Sequence, residues 1–341
     1  MKQLSSKTIL VVLLLVAVWF YKRPPVESGP THFPTYNRKS DWYLSPHKCL
    51  KKFQVSCEEL SKTANSTRRS KKAFKAVKRA SKRIHRSFLT AAQYRKKNRH
   101  KHLAPYDETR SCQDLANFYI NANDVETPLQ TYMVAQGPLE NTVEDFWQAV
   151  LHKNSNTIVT LVMAIEEGRE KCASYWTRPV VAAGEWTITL QGEKVVATSV
   201  FIPSHRIVIR TFSATNGTEI RSIKQVHYEN WPDGKVPDLD LFIKLLDVVD
   251  EIKPKGPITV HCSAGIGRSG TFVAAHSLRK ELRQAESRKR TLKPLLVNVP
   301  KAVFLLRCQR LGMVGSTAQF KTVCQAIARE YRPRTKPFFL L

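Results

Sequence analysis

Acidic side chains are scarce in this chain. Its 341 residues carry 28 Asp and Glu against 55 Lys and Arg, a formal net charge of +27. That excess directs the molecule toward anionic partners, whether phosphorylated protein, lipid headgroups or nucleic acid, without choosing among them. Glycine and proline are few, and 13 and 18 residues exclude a collagen-like or low-complexity scaffold. Seven cysteines over such a length make no disulfide framework, and the odd number leaves at least one thiol unpaired. Internal repeats are absent. What is present is 42% hydrophobic residues, enough to build a core and to exclude intrinsic disorder for most of the chain.

The segment Thr8 to Tyr21 is uncharged and apolar, with Lys2 and Lys7 before it and Lys22 and Arg23 after it. As a helix it would reach about 21 Å, short of a hydrocarbon core of about 30 Å unless Lys7 snorkels and Leu4 joins. Its brevity suits a cleaved signal peptide, for which Val26-Glu27-Ser28 would be the processing site. The flanking Lys22 and Arg23 and the trio Trp19, Phe20 and Tyr21 suit a retained anchor with the remainder cytoplasmic. A single-pass membrane protein, a protein secreted after cleavage and an ordinary buried helix all stay open. Residues 24–66, containing Pro24, Pro25, Pro30, Pro34 and Pro46, read as an extended linker.

Between Arg68 and His102 there are fifteen Lys or Arg and no Asp or Glu, while Phe74, Val77, Ile84 and Phe88 recur at near-helical spacing. The pattern predicts a basic amphipathic helix with its apolar side on a core. Its charged side would be simply solvated or would meet an anionic membrane surface; few interleaved aromatics weigh against nucleic acid. Beyond His102 the pattern is that of a compact α/β domain. Asn156 to Met163 reads as a buried strand, Trp186 to Leu190 alternates, and Lys194 to Thr211 supplies two β-branched runs. Thr142 and Asp145 have capping-box spacing; Phe242, Leu245, Leu246 and Val249 then Phe320, Val323, Ile327 and Tyr331 mark two helices.

The strand Pro257 to Val260 runs into His261-Cys262-Ser263-Ala264-Gly265-Ile266-Gly267-Arg268-Ser269-Gly270, with a helix expected from about Ser269. Small residues let successive N–H groups turn inward as a nest for a tetrahedral oxyanion, at the positive end of the following helix. The same donors favour a nucleophilic thiolate at Cys262. Arg268 adds a planar fork for two phosphate oxygens, and Ser269 can donate a hydrogen bond to the sulfur when it leaves.

This ten-residue run resembles the signature loop of the cysteine-dependent protein tyrosine phosphatases. Other blocks resemble that family in its order: Lys97-Asn98-Arg99, Asn121-Ala122-Asn123, Gln136-Gly137-Pro138-Leu139, Lys171-Cys172-Ala173-Ser174-Tyr175-Trp176 and Trp231-Pro232-Asp233. The resemblance implies a highly twisted mixed β-sheet flanked by helices over about residues 67–335, leaving 336–341 as a tail. It implies hydrolysis of phosphotyrosine in proteins through a cysteinyl-phosphate, with no metal or cofactor required. Cys262 would attack phosphorus and Asp233 would protonate the departing phenolate, then activate water. Backbone donors from Ser263, Ala264, Gly265, Ile266 and Gly267 to Arg268, with the Arg268 guanidinium, would hold the phosphoryl oxygens. Lys171 would contact the acid loop, Glu166 would fix Arg268, His100 would face the substrate ring and Gln319 would assist hydrolysis.

Four positions depart from the family pattern around the substrate. His100 stands where a stacking tyrosine is usual, His102 where a peptide-anchoring aspartate is usual, Gly234 where an aromatic is common, and Gly315 where a glutamine positions the hydrolytic water. Alternatives to a competent phosphatase are therefore a phosphoprotein-binding module with poor turnover and a phosphoinositide phosphatase. The small side chains of Ser263, Ala264 and Ile266 supply no extra lysines for a multiply phosphorylated headgroup.

Overall fold

A computed structural model describes residues 50–288 and 296–330. The apolar segment Thr8–Tyr21, most of the proline-containing stretch and the residues after Glu330 lie outside them. Among the described residues no helix is long and apolar enough to cross a membrane.

The chain enters through β1 (Val55–Ser56), α1 (Cys57–Asn65) and α2 (Thr67–Ser81). Ser56 and Ser66 cap the two helices, their hydroxyls accepting from the N–H groups of Glu59 at 3.1 Å and Arg69 at 3.2 Å. The linker expected to run to residue 66 is thus folded from Leu50 onward, with Leu50, Cys57 and Leu60 in the core. The basic segment is not one helix either. Phe74 and Val77 are buried on α2, but that helix ends at Ser81, and Ile84 and Phe88 fall in the turn before the short α3 (Leu89–Gln93).

Strands β2 (Ala122–Thr127) and β3 (Gln130–Ala135) form a hairpin, followed by α4 (Val143–His152) and β4 (Thr157–Thr160). The expected capping box at α4 is absent. The Thr142 hydroxyl turns back to accept from the Leu139 N–H at 2.8 Å, and the Asp145 carboxylate is taken by Lys97 at 2.9 Å. A small hairpin, β5 (Ile165–Glu166) and β6 (Arg169–Glu170), precedes the long meander β7 (Val180–Ala183), β8 (Trp186–Thr198), β9 (Arg206–Thr215) and β10 (Ile220–Glu229). Helix α5 (Leu239–Ile252) is capped by Asp238, which accepts from Asp240 and Leu241 N–H groups at 3.0 Å each. Then come β11 (Ile258–His261), α6 (Gly267–Arg288), β12 (Leu296–Val297), α7 (Val299–Gln309) and α8 (Thr317–Glu330).

Eight strands make one mixed sheet in the order β2-β3-β11-β4-β10-β9-β8-β7. The inner four, β3, β11, β4 and β10, run parallel. Every residue of β4 and β11 is buried, because helices cover both faces and such strands need apolar or paired side chains on each side. On one face α4 packs Phe146 against His261 and Trp147 against Phe212; on the other, α6 brings His276 to Tyr132. The parallel arrangement has a functional consequence. The carboxyl ends of β3, β11, β4 and β10 share one edge, and from that edge emerge Gln136-Gly137, the Cys262 loop, the Glu166–Lys171 hairpin and Trp231-Pro232-Asp233, the place where open α/β sheets receive ligands.

Candidate active site

The loop between β11 and α6 is a tight bowl set by two close backbone approaches. Gly265 has φ +67°, and a Cβ there would collide with the Ala135 carbonyl. A Cβ at Gly137 would come within 2.6 Å of the Cys262 carbonyl, while the Gly137 N–H donates to the Ser263 carbonyl at 2.9 Å. Glycine at both positions lets β3 and the bowl lie backbone to backbone. Helix α6 begins at Gly267, two residues earlier than the sequence pattern suggested, so Arg268 and Ser269 occupy its first turn.

Cys262 and Arg268 are 3% and 1% exposed. The Arg268 guanidinium is gripped from one side only: Nη1 donates to Glu166 Oε1 at 2.5 Å and to the Trp231 carbonyl at 2.7 Å. Its Nε and Nη2 have no hydrogen-bond acceptor among the described residues, although Asp233 Oδ1 lies 3.5 Å from Nη2. Burial works against the Arg268 charge, but Cys262, Glu166 and Asp233 outweigh it and raise its pKa. A permanently charged fork with unspent donors, buried beside a thiol, costs free energy unless an anion completes it.

Asp233 reaches Lys171 Nζ at 3.1 Å and accepts from the Gly234 N–H at 3.0 Å. Burial pushes its pKa up, yet Arg268 and Lys171 together prevail and hold the carboxyl below the usual aspartate value. His100 is exposed on the same rim. Burial of part of its ring, with Arg99 and Lys171 nearby, lowers its pKa against the opposing pull of Asp233. Ser269 is buried with its hydroxyl unpartnered among the described residues. Gln319 Oε1 accepts from the Gly315 N–H at 2.9 Å and packs over Gly267. Val314, just before Gly315, sits at φ 62°, a strained conformation for a β-branched residue. It is held there by the Ile266 carbonyl at 3.2 Å and by Arg307, whose Nη2 donates to the Val314 carbonyl at 2.7 Å.

A network behind the bowl escaped the sequence reading. Arg310, 1% exposed, donates from Nε to the Gly265 carbonyl at 2.7 Å and from Nη2 to the Ala264 carbonyl at 3.2 Å. Asn123 and Asn121 accept from its other N–H groups at 2.8 and 3.0 Å. Because C=O and the next N–H point opposite ways across a trans peptide, holding these two carbonyls turns the Gly265 and Ile266 N–H groups the other way, toward the inside of the bowl. Burial lowers the Arg310 pKa to about 10, which leaves it charged. An isolated arginine forty-odd positions downstream carries no local signal of this kind; the paired Asn121 and Asn123 were the available hint. His261, by contrast, is neutral, its pKa pushed down to about 3 by burial, and it meets Tyr175 Oη at 2.7 Å and Thr160 Oγ1 at 3.0 Å. The rim is fastened by Gln136, which accepts from Arg99 N–H at 3.0 Å and donates to the Lys97 carbonyl at 2.7 Å. Asn98 accepts from Tyr119 at 2.6 Å.

Comparison with known families agrees with this geometry. The family model described as protein-tyrosine phosphatase matches residues 94–329, and the chain belongs to that family. The chain is similar to the receptor-type tyrosine-protein phosphatase eta of Mus musculus, 34% identical over 254 residues, covering 69% of this chain and 19% of that protein. It is similar to the receptor-type tyrosine-protein phosphatase V of Rattus norvegicus, 36% identical over 240 residues, covering 66% and 13%. The tyrosine-protein phosphatase non-receptor type 5 of Homo sapiens is 34% identical over 243 residues, covering 67% and 40%. The match thus spans 13–40% of the length of these relatives.

Proposed function

We propose that the chain hydrolyses phosphotyrosine in proteins through a cysteinyl-phosphate intermediate. The observation that carries this reading is the one-sided grip on Arg268: Glu166 and Trp231 consume Nη1, and Nε and Nη2 stay unspent beside Cys262. Two parallel donors of that kind match two phosphoryl oxygens, and the backbone N–H groups of residues 263–268 match the rest. Cys262 Sγ then attacks phosphorus, the bond to the tyrosyl oxygen breaks, and Asp233 delivers a proton to the departing phenolate. In the second step Asp233 takes a proton from water as that water attacks phosphorus, the S–P bond breaks, and inorganic phosphate leaves. The lowered pKa of Asp233 belongs to the free site. A dianionic phosphoryl group arriving at Arg268 opposes the influence of the two cations and favours the protonated acid that the first step requires.

Hydrolysis of an aryl phosphate chromogen tests the chemistry. Cys262→Ser should abolish turnover, and Asp233→Ala should retain bound phosphotyrosine protein while releasing product slowly. Turnover surviving in Cys262→Ser would defeat the mechanism. Phosphopeptide binding that depends on Arg268, without turnover in the unaltered protein, would leave a binding module in its place.

The apolar segment Thr8–Tyr21 supports a membrane anchor, and two of the relatives named above are receptor-type by name. On this reading the catalytic domain faces the cytoplasm. Protease protection of a C-terminal tag in intact membranes would contradict that orientation.

A further inference from the structure

The cationic face of α2 lies outside the segment that matches the family, which begins at residue 94. Along this helix Ser70, Ala73, Phe74, Val77 and Ala80 are buried, and α2 packs through them onto α7 and α8, with the Phe74 and Phe320 rings 5.5 Å apart. The opposite face presents Arg68, Lys71, Lys72, Lys75, Lys78 and Arg79, all exposed, and Lys82 continues the stripe beyond the helix end. At 1.5 Å per residue these cations line about 21 Å of surface. Among the described residues none of these seven has a carboxylate partner; the one ion pair on α2 is Arg69 with Glu59 at 3.2 Å. Lys78 Nζ stands 5.6 Å from the centroid of the Phe74 ring, and no carboxylate of the described residues balances the stripe. Packing seven like charges on one face without counter-ions costs stability, which an external polyanion would recover.

We propose that this stripe is a docking surface for anionic lipid headgroups. Three observations select a membrane surface over nucleic acid. The outer face of α2 carries no aromatic side chain on which a base could stack, since Phe74 points into the core. The stripe lies on the outer side of a single helix, a convex surface that suits a plane of headgroups. Six and seven residues beyond Lys82 along the chain, Phe88 and Leu89 are 37% and 77% exposed, apolar side chains of the kind that headgroups accommodate. The apolar side of α2 is already buried, so the helix cannot insert as an amphipathic anchor does. Binding is therefore electrostatic, reversible by salt and built from small increments per cation.

The test uses the full chain and vesicles of phosphatidylcholine alone or with phosphatidylserine, in flotation at low and moderate salt. Partitioning into the anionic vesicles should exceed that into the neutral ones by at least about tenfold, with about a fivefold loss expected per cation removed. Binding to neutral vesicles serves as the baseline for any contribution of Thr8–Tyr21. The variant K71E/K72E/K75E/K78E should bring the two vesicle types level while its aryl phosphate hydrolysis stays unchanged. Equal partitioning of the unaltered protein, or a preference that survives in the variant, would overturn the proposal. So would a duplex DNA of about 30 base pairs that binds more tightly than the anionic vesicles at the same salt.

Discussion

Arg310 holds the Gly265 carbonyl at 2.7 Å from a position with almost no solvent contact. Forty-five residues of chain separate the two, yet the shape of the bowl around Cys262 depends on this bond and its neighbour at Ala264. Arg310→Met keeps the apolar stem and removes every donor. Four acceptors, the two carbonyls and the side chains of Asn121 and Asn123, then lose their partner, at about 1–3 kcal/mol for each buried group left unsatisfied. The expected outcome is a drop in kcat/KM of about a hundredfold or more for an aryl phosphate, with a lower melting temperature. A variant with normal kcat/KM, measured well below its own melting temperature, would show that the bowl holds its shape without Arg310.

The ion pair between Lys171 and Asp233 predicts a directional change in pH dependence. An acid with a lowered pKa gives up its proton at lower pH, so the basic limb of kcat/KM lies toward the acidic side. Lys171→Met removes one of the two cations that lower it, while Arg268 remains. The limb should then move to higher pH, and Lys171→Arg should leave it close to the original position. A limb that stays fixed in Lys171→Met, or moves to lower pH, would contradict the assignment of Asp233 as the acid. The position of the limb is independent of any loss in amplitude from a less firmly closed loop.

His227 sets a separate limit at low pH. It is fully buried, with Nδ1 accepting from Arg210 at 3.0 Å and Nε2 donating to the Val162 carbonyl at 2.8 Å. Burial first, and Arg210 second, lower its pKa from 6.5 to about 4. The unfolded chain therefore binds the proton more readily. The contribution to stability is complete above pH 6.5, shrinks as pH falls, and is gone below about 4. Glutamine offers an acceptor and a donor at similar spacing without a titrating ring. Between pH 7 and 4.5, His227→Gln should lose about 2 kcal/mol less stability than the parent in urea titrations. Equal losses in the two proteins would rule out His227 as a source of acid sensitivity.

The residues that were legible from sequence are those whose neighbours in space are also neighbours along the chain. The run from His261 to Gly270 declares a strand, a nest and a helix start within ten positions. The β-branched runs on either side of Pro203 became β8 and β9. The failures have a common physical origin in partners that come from elsewhere. Thr142 has a cap spacing, but Leu139 offers its hydroxyl a competing donor and Lys97 draws Asp145 away. Cys57 to Asn65 follows a proline-containing stretch and is short, so its helix is decided by the Ser56 cap and by packing on α8. The spacing from Phe74 to Phe88 looks continuous, yet only the part that α7 and α8 can cover stays helical. Arg310 is the extreme case, because its four acceptors lie near residues 120 and 265.

Gly315 offers the sharpest comparison between this chain and its family. The loop that carries it is pinned against the bowl through Val314, and Gly315 itself lies outside the left-handed region, so another residue fits its backbone. A Cβ there would stand 3.3 Å from Gln319 Oε1, a tight contact that a small shift of the Gln319 side chain relieves. Resemblance places a water-positioning glutamine at this point. On the mechanism proposed above, its absence should leave the attacking water with less guidance and make decay of the phosphoenzyme slow relative to its formation. Rapid-quench measurements on the parent should show a burst of phenol approaching one equivalent, followed by slower turnover. In Gly315→Gln the burst amplitude should fall and the decay constant rise by about tenfold, within the range for positioning a proton-transferring water. An unchanged decay constant would mean that Gln319, already hydrogen-bonded to the Gly315 N–H, orients the water by itself.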